Sequence, residues 1–326
     1  MTSNHSKAAT LLIGKESVYG TEVAFTDDLG LLQTFSPTDK RTHTKIGAAG
    51  SREIQEIVAG IVDLDSEISV FLQHGRPLQY LLGDLTHTQS TNDWKHAITA
   101  VPNSISSFSM EYSFNGDTDY CFQYAGCKFN QGTIALEKDG ILTFNGTIKA
   151  KTVDDSDVAA ETAIISTLPI LHYKHSSVSV GVAASEASAG KIQSFNLTFN
   201  NNPIMVDAAG SIFHQEQVEG LFEPTFDFTM IFENQVEHKR FLGTSSSTSP
   251  QTSPTPYSII FNSHNGVALG SGRREFYAQL NDYQYEEAGH PLNVGEIVIS
   301  SFKGNAKSYG TNGVYYVDNI SSTNFD

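Results

Sequence analysis

Cysteine is nearly missing from this chain: two in 326 residues, Cys121 and Cys127. A disulfide-stapled secreted framework needs more cysteines in a shorter chain. The two flank Tyr124-Ala125-Gly126, where a disulfide across a hairpin is one reading and free thiols of a chain kept in a reducing cytoplasm the favoured one. Basic residues are also scarce. Lys plus Arg number 20 against 36 Asp plus Glu, a formal charge of −16. A protein that grips nucleic-acid phosphate needs clustered Lys and Arg, and so does one that lies on an anionic membrane. Both classes are disfavoured, whereas a protein that surrounds DNA without holding it is not. No segment approaches the roughly 20 apolar residues of a membrane helix. The short run Ala8–Ile13 is broken by Gly14-Lys15-Glu16 before a signal-type core can form.

Chemical motifs are lacking too. There is no His-x-x-x-His or Cys-x-x-Cys spacing for zinc and no Gly-x-Ser-x-Gly elbow. Gly14-Lys15 has no upstream glycine of a phosphate loop. Asn115-Gly116-Asp117-Thr118-Asp119 carries oxygen ligands without the distal Glu of a calcium loop and reads as a plain turn. Asp154-Asp155-Ser156-Asp157 reads as a solvated linker. A Ser-His-Asp triad picked from so many candidates would be arbitrary. The expectation is a chain with no metal, no cofactor and no catalysis.

What the chain does have is 20 Phe, 13 Tyr and 26 Gly among many Ser, Thr and Asn, with 39% hydrophobic and only 17% charged residues. That mixture favours strands and turns over helices and is not the composition of disorder. It also has an internal repeat. At an offset of 160 residues, Gln33, Phe35, Thr38, Ala48-Ala49-Gly50-Ser51, Gln55, Glu56, Val58, Gly60 and Leu82-Gly83 recur without a gap, giving 13 identities in the 52 positions from Leu32 to Gly83. Unrelated stretches would share about 3. Ile68, Val70 and Leu72 alternate with polar neighbours, and Phe226, Phe228, Met230 and Phe232 do the same in the second copy, a period of 2 that marks strands with one buried face. Leu78, Leu81 and Leu82 behind Pro77 and before Gly83 predict a short helix, matched by Gln235–Leu242. After a polar spacer the strands resume at Phe108–Phe114, Tyr120–Tyr124 and Leu142–Ile148, and in the second copy at Tyr257–Phe261, Phe276–Leu280 and Ile297–Phe302.

The reading is therefore a mainly β chain of two tandem sandwich or barrel domains, each with one short helix. Residues 1–30 form an N-terminal arm, 31–153 the first domain, 154–190 an inter-domain linker, and 191–326 the second domain. The tract Thr244–Thr255 reads as a mobile loop. Ser36–Ser51 lies between strand candidates and is long for a connection. Asp39, Lys40, Arg41, Lys45, Arg52 and Glu53 give that region both charge signs. It is either a solvated hairpin tip or a docking loop that reaches a neighbour. Few strands per copy leave open sheet edges, which pair with other edges, and a ring closes them all.

The opening Leu11-Leu12-Ile13-Gly14-Lys15-Glu16-Ser17-Val18-Tyr19-Gly20-Thr21 resembles the G-x-E-S-x-Y-G-T start of tail tube proteins, the major tail proteins of long-tailed phages and related archaeal viruses. The long loop before a strand pair and a short helix resembles their domain, and the duplication resembles members that form trimeric, pseudo-hexameric rings. The resemblance implies a structural virion protein, assembled in the host cytoplasm. Its sheets would join into a barrel-shaped ring, and its rings would stack helically. Expected partners are further copies of itself, a tape-measure protein, and tail terminator and baseplate proteins. DNA would pass through the lumen without tight binding, and no membrane would be involved. Ser36–Ser51 and Asn196–Ser211 would be the stacking loops, and residues 1–30 would lie on a neighbouring subunit. An acidic lumen would repel phosphate. Glu67, Asp119 and Glu137 are candidates to line it, with a merely solvated strand face as the competing reading. The rival function is a two-domain β-sandwich adhesin or carbohydrate-binding protein, with Tyr283 and Tyr285 stacking on sugars.

Overall fold

The computed structural model describes residues 9–318, apart from 84, 91–92, 99–104, 115–120, 156–167, 270–271 and 293. The first half runs β1 (Ala9–Lys15), β2 (Leu31–Gly47), β3 (Ile54–Phe71), α1 (Arg76–Leu82), β4 (Leu85–Ser90), β5 (Asp93–Ile98), β6 (Phe108–Phe114), β7 (Cys121–Glu137), β8 (Thr143–Ala150) and β9 (Thr152–Asp154). The second runs β10 (Ser176–Gly181), β11 (Ala187–Ser188), β12 (Ile192–Asn200), β13 (Ile204–Val206), β14 (Glu216–Val218), β15 (Glu223–Ile231), α2 (Val236–Leu242), β16 (Tyr257–Leu269), β17 (Gly272–Gly289), β18 (Ile299–Asn305) and β19 (Ser308–Asp318). The described residues are mainly β with two short α-helices, in keeping with the composition.

Antiparallel pairing joins both halves into one sheet of eight strands, in the order β2-β3-β8-β7-β12-β15-β18-β17. The seam is β7 against β12, where Gln131–Glu137 pair with Asn200–Ser194. Asn201, which is buried, locks it by donating to the carbonyls of Leu81 at 2.9 Å and Phe129 at 3.0 Å. A second layer consists of β1-β6-β7-β9 in the first half and β11-β10-β16-β17-β19 in the second. β7 and β17 serve both layers because each bends at a bulge. Gly126 (φ 69°) and Asp282 (φ 54°) supply the left-handed residue there.

Between the layers lies the aromatic core. Phe108 packs on Phe129 and Phe129 on Phe144 in the first half, and Phe226 packs on Phe261 and Tyr283 in the second. α1 is buried along its whole length and ends at Gly83, whose φ of 115° only glycine adopts readily. Its Leu81 sits over Gly132, which stands opposite Gly146 on β8. A side chain at Gly132 would collide with Leu81 and Phe144, so glycine is what lets the helix approach the sheet.

Several expectations meet a different structure. Ser36–Ser51 is not a loop. β2 runs to Gly47, and residues 48–53 alone connect it to β3. The stretch is polar because both of its faces meet water, while Thr38, Thr42, Thr44 and Ile46 suit a strand. Likewise Asn196–Asn200, expected in the second loop, lies inside β12. The stretch expected as an arm has contacts within its own chain. β1 pairs with β6 of its own chain, and Arg76 at the start of α1 holds Asp27 at 2.6 Å. Within the stretch expected as a linker, β10 pairs with β16. The polar spacer after α1 is the hairpin β4–β5, which docks on β19 of the other half. There the buried His96 meets the buried Asp318 at 3.0 Å. The tract Thr244–Thr255 is held by hydrogen bonds, among them Gln251 N–H to Leu242 O and Thr255 N–H to Gly243 O, both 2.8 Å.

Candidate functional site: a polar sheet face, two open edges and a long hairpin

One face of the eight-stranded sheet is built on Leu64, Ile68, Val70, Ile134, Leu136, Phe144, Phe195, Leu197, Phe226 and Phe228 and is buried against the second layer. The alternation that buries those residues puts their neighbours on the opposite face. A single row there crosses all eight strands as Thr34, Ser69, Asn145, Thr133, Thr198, Thr225, Asn305 and Gln284. Every member is polar and uncharged. Thr133 and Thr198 join hydroxyls across the seam at 2.9 Å.

Charges flank this row. Glu67 is exposed on β3 between Ser36 and Thr147. Glu137 is exposed at the end of β7 opposite Ser194. Both lie on the polar face. Asp119 lies outside the described residues. Asp65 holds Lys149 at 2.7 Å and Lys40 at 3.7 Å. Asp227 accepts from Asn196 at 2.8 Å. Burial pushes its carboxyl above the usual range, against the opposing pull of Asn196 and Lys303. The bases on this face are thus mostly spoken for by carboxylates.

The sheet ends in open edges. Within the described residues β2 pairs with β3 alone, and Gln284–Gly289 of β17 pair with β18 alone. β2 carries Pro37, a residue that edge strands tolerate.

The hairpin β2–β3 projects past the body of the sheet. Every residue from Arg41 to Ala59 is exposed, and the seven residues from Arg41 to Gly47 reach about 20 Å at 3.4 Å per residue. Asp39, Lys40, Arg41 and Lys45 lie on its ascending strand, and Arg52 and Glu53 at its tip. Arg41 is tied across the hairpin to Gly60 O at 3.3 Å. Ile46, Ile54, Ile57 and Val58 are exposed as well, an apolar surface at the end of a free arm.

At an offset of 160 the second half repeats the tip in miniature. Ser51 N–H donates to Ala48 O at 3.2 Å, and Ser211 N–H to Ala208 O at 3.2 Å. Gln55 and Gln215 each donate to the hydroxyl of Ser51 and Ser211. Gly50 and Gly210 have φ of 88° and 87°. The strands of this second hairpin, β13 and β14, are only three residues long. Its base is strapped to the long hairpin. Val62 N–H donates to Ile212 O at 2.8 Å. His214 bridges Asp207 at 2.5 Å and Asp63 at 2.7 Å. Burial alone would lower the His214 pKa, but the two carboxylates raise it. No local sequence signal marks this clasp, in which His214 and Asp63 stand 151 positions apart.

A family model described as phage tail tube protein matches residues 6–287. The chain belongs to the phage tail tube protein family. No curated protein matches it in sequence. The match takes in both halves and the opening motif, whose role the structure explains. Glu16 is buried and accepts four hydrogen bonds: from Ser107 Oγ at 2.7 Å, Ser109 Oγ at 2.8 Å, Gly126 N–H at 2.7 Å and Gly20 N–H at 2.9 Å. Tyr19 packs on Gly126, and burial raises its hydroxyl pKa strongly. The tail tube opening is thus a knot that pins the bend of β7. Membership makes the protein a structural virion component that self-assembles in the tail. No helix among the described residues is long and apolar enough to cross a membrane.

The tyrosines of the adhesin reading are not available. Tyr283 is fully buried, and Tyr285 packs against the core with its hydroxyl on Glu237 at 2.9 Å. Cys121 and Cys127 are free and buried, and burial, with the nearby Glu111, pushes the Cys121 thiol up to about 11.

Proposed function

We propose that the eight-stranded sheet is the wall of a tail tube ring, with its polar face turned to the lumen. Three copies, each carrying two copies of one ancestral domain, make a pseudo-hexameric ring. The rings stack helically head to tail, and the genome passes through without tight binding. The protein performs no catalysis. The long hairpin reaches the adjacent ring with Lys45, Arg52, Glu53 and its exposed isoleucines. Tape-measure, terminator and baseplate proteins are its other partners, and assembly takes place in the host cytoplasm.

The observation that carries this reading is the row of eight uncharged polar residues across a sheet whose other face is core. A wall of hydroxyls and amides with flanking carboxylates offers phosphate no counterion release. Two open edges on such a sheet need partners, and the recurrence of the tip hydrogen bonds at a fixed offset supports the duplication.

The test has two arms. Negative-stain electron microscopy of the purified chain should show rings or tubes with a central hole. Monomers at every concentration and salt would refute the reading. In the second arm, Glu67→Lys with Glu137→Lys should keep the tubes yet make them retain short duplex DNA in a salt-dependent way. Tubes that remain indifferent to DNA would place these carboxylates away from the lumen.

A further inference from the structure

The seam between β7 and β12 inside one chain is a template for the seam between chains. Element by element, β12 corresponds to β2, and the paired end of β7 corresponds to the end of β17. Ser69 pairs with Asn145, and Asn145 with Thr133. In the second half Thr229 pairs with Ser301, and Ser301 with Gly289. Thr133 and Gly289 therefore hold the same place. Thr133 meets Thr198 across the internal seam, and Thr198 stands 160 positions after Thr38.

We infer that the β17 edge of one copy pairs antiparallel with the β2 edge of a second copy in this same register, with Gly289 opposite Thr38 and Glu287 opposite Lys40. The inference rests on the ring reading above and specifies its interface.

Two independent observations support that register. The first is charge. At the internal seam the place of Glu287 and Lys40 is taken by the uncharged pair Gln131 and Asn200. Between copies the same place receives a carboxylate and an ammonium, both exposed in the single chain. Opposed charges across a strand pair favour the correct edge, and they repel a second β2 or a second β17. The pairing is therefore heterologous, the kind that generates rings.

The second is closure. The polar row starts at Thr34 on β2 and, four strands later, reaches β12 at Thr198, the counterpart of Thr38 rather than of Thr34. The row climbs four residues per four strands. Repeating that step around a ring makes the shear equal to the strand number, whatever the number of copies. An eight-stranded barrel with shear 8 has the same ratio and a tilt of about 36°, inside the range of closed barrels. At eight strands per copy a ring of three has about 24, past the 16–18 that already leave an aqueous channel.

Cysteine cross-linking in assembled full-length protein reads the register directly, and the buried Cys121 and Cys127 stay out of the reaction. Residues opposed in an antiparallel pair have Cα atoms about 4.5–5.5 Å apart, within disulfide reach. Thr38→Cys with Gly289→Cys should yield covalent chains and closed oligomers on mild oxidation, only after assembly, and neither single variant should. Thr38→Cys with Glu287→Cys, shifted by two residues, should link at least about tenfold less. Charge exchange is the second measurement. Lys40→Glu or Glu287→Lys alone should lower the assembled fraction several-fold, and the two together should restore it. If the wild type forms tubes but the shifted pair links better, or the double exchange restores nothing, the register is overturned while the tube reading stands. If the wild type never assembles, both fall.

Discussion

The two hairpins of this chain share a tip and differ in everything else. Ala48-Ala49-Gly50-Ser51 and Ala208-Ala209-Gly210-Ser211 fold into the same turn with the same hydrogen bonds. One tip is carried on strands of 17 and 18 residues and stands clear of the body, the other on strands of three. The short one is fastened through His214 and Ile212 to the base of the long one. Identical local sequence thus fixes a turn, while strand length and the side chains below it decide whether the element reaches outward or braces its neighbour.

Shortening each hairpin in turn is the strongest way to break this comparison. Replacing residues 43–58 by a two-residue turn should abolish tube growth while the thermal midpoint of the single chain stays within a few degrees, because none of those residues is buried. Sedimentation and calorimetry read the two effects separately. Removing the short hairpin should instead lower stability, since the base of the long hairpin loses its strap.

Glu16→Ala tests a device confined to the first half. It strands buried donors that now share one carboxylate, at a cost of about 3 kcal/mol or more in urea unfolding. Glu16→Gln, which retains acceptor capacity, should cost less.

His214→Ala should be milder, about 1 kcal/mol, because both partner carboxylates are partly in water. Its pH dependence has a definite sign. A histidine whose folded pKa is raised contributes fully below its unfolded value of about 6.5 and loses that contribution as pH rises through the folded value. The stability gap between wild type and variant should therefore shrink on going from pH 5.5 to pH 8.5. The smallest effect is expected from Lys45→Glu with Arg52→Glu. These exposed side chains can alter only contacts between rings, so the critical concentration for tube growth should rise while unfolding of the single chain stays unchanged.

Much of this architecture is legible in the sequence because one-sided burial leaves a period of 2. Ile68-Ser69-Val70 and Phe226-Asp227-Phe228 announce their strands, and Gly83 and Gly243 mark the ends of the two helices. The long hairpin is not legible that way. A strand with both faces in water has no hydrophobic period, so Ser36–Gly47 looks like a loop until its β-branched threonines are weighed. The β4–β5 hairpin hides for a related reason: its alternation, Trp94-Lys95-His96, is mostly polar, and its anchor Asp318 lies more than 200 positions away. For the polar face, Glu67 and Glu137 could be named from alternation alone. The uncharged row between them could not, because it exists only once eight strands from two halves fall into register. The clasp of Asp63, His214 and Asp207 left no local trace for the same reason.

A cryo-EM map of the assembled protein, at a resolution that separates strands, tests the account most directly. The expected map shows a continuous inner wall in which β2 of each copy abuts β17 of the next and the Thr133–Thr198 seam faces the hole. A map that turns this face outward, or leaves both edge strands unpaired, would contradict it.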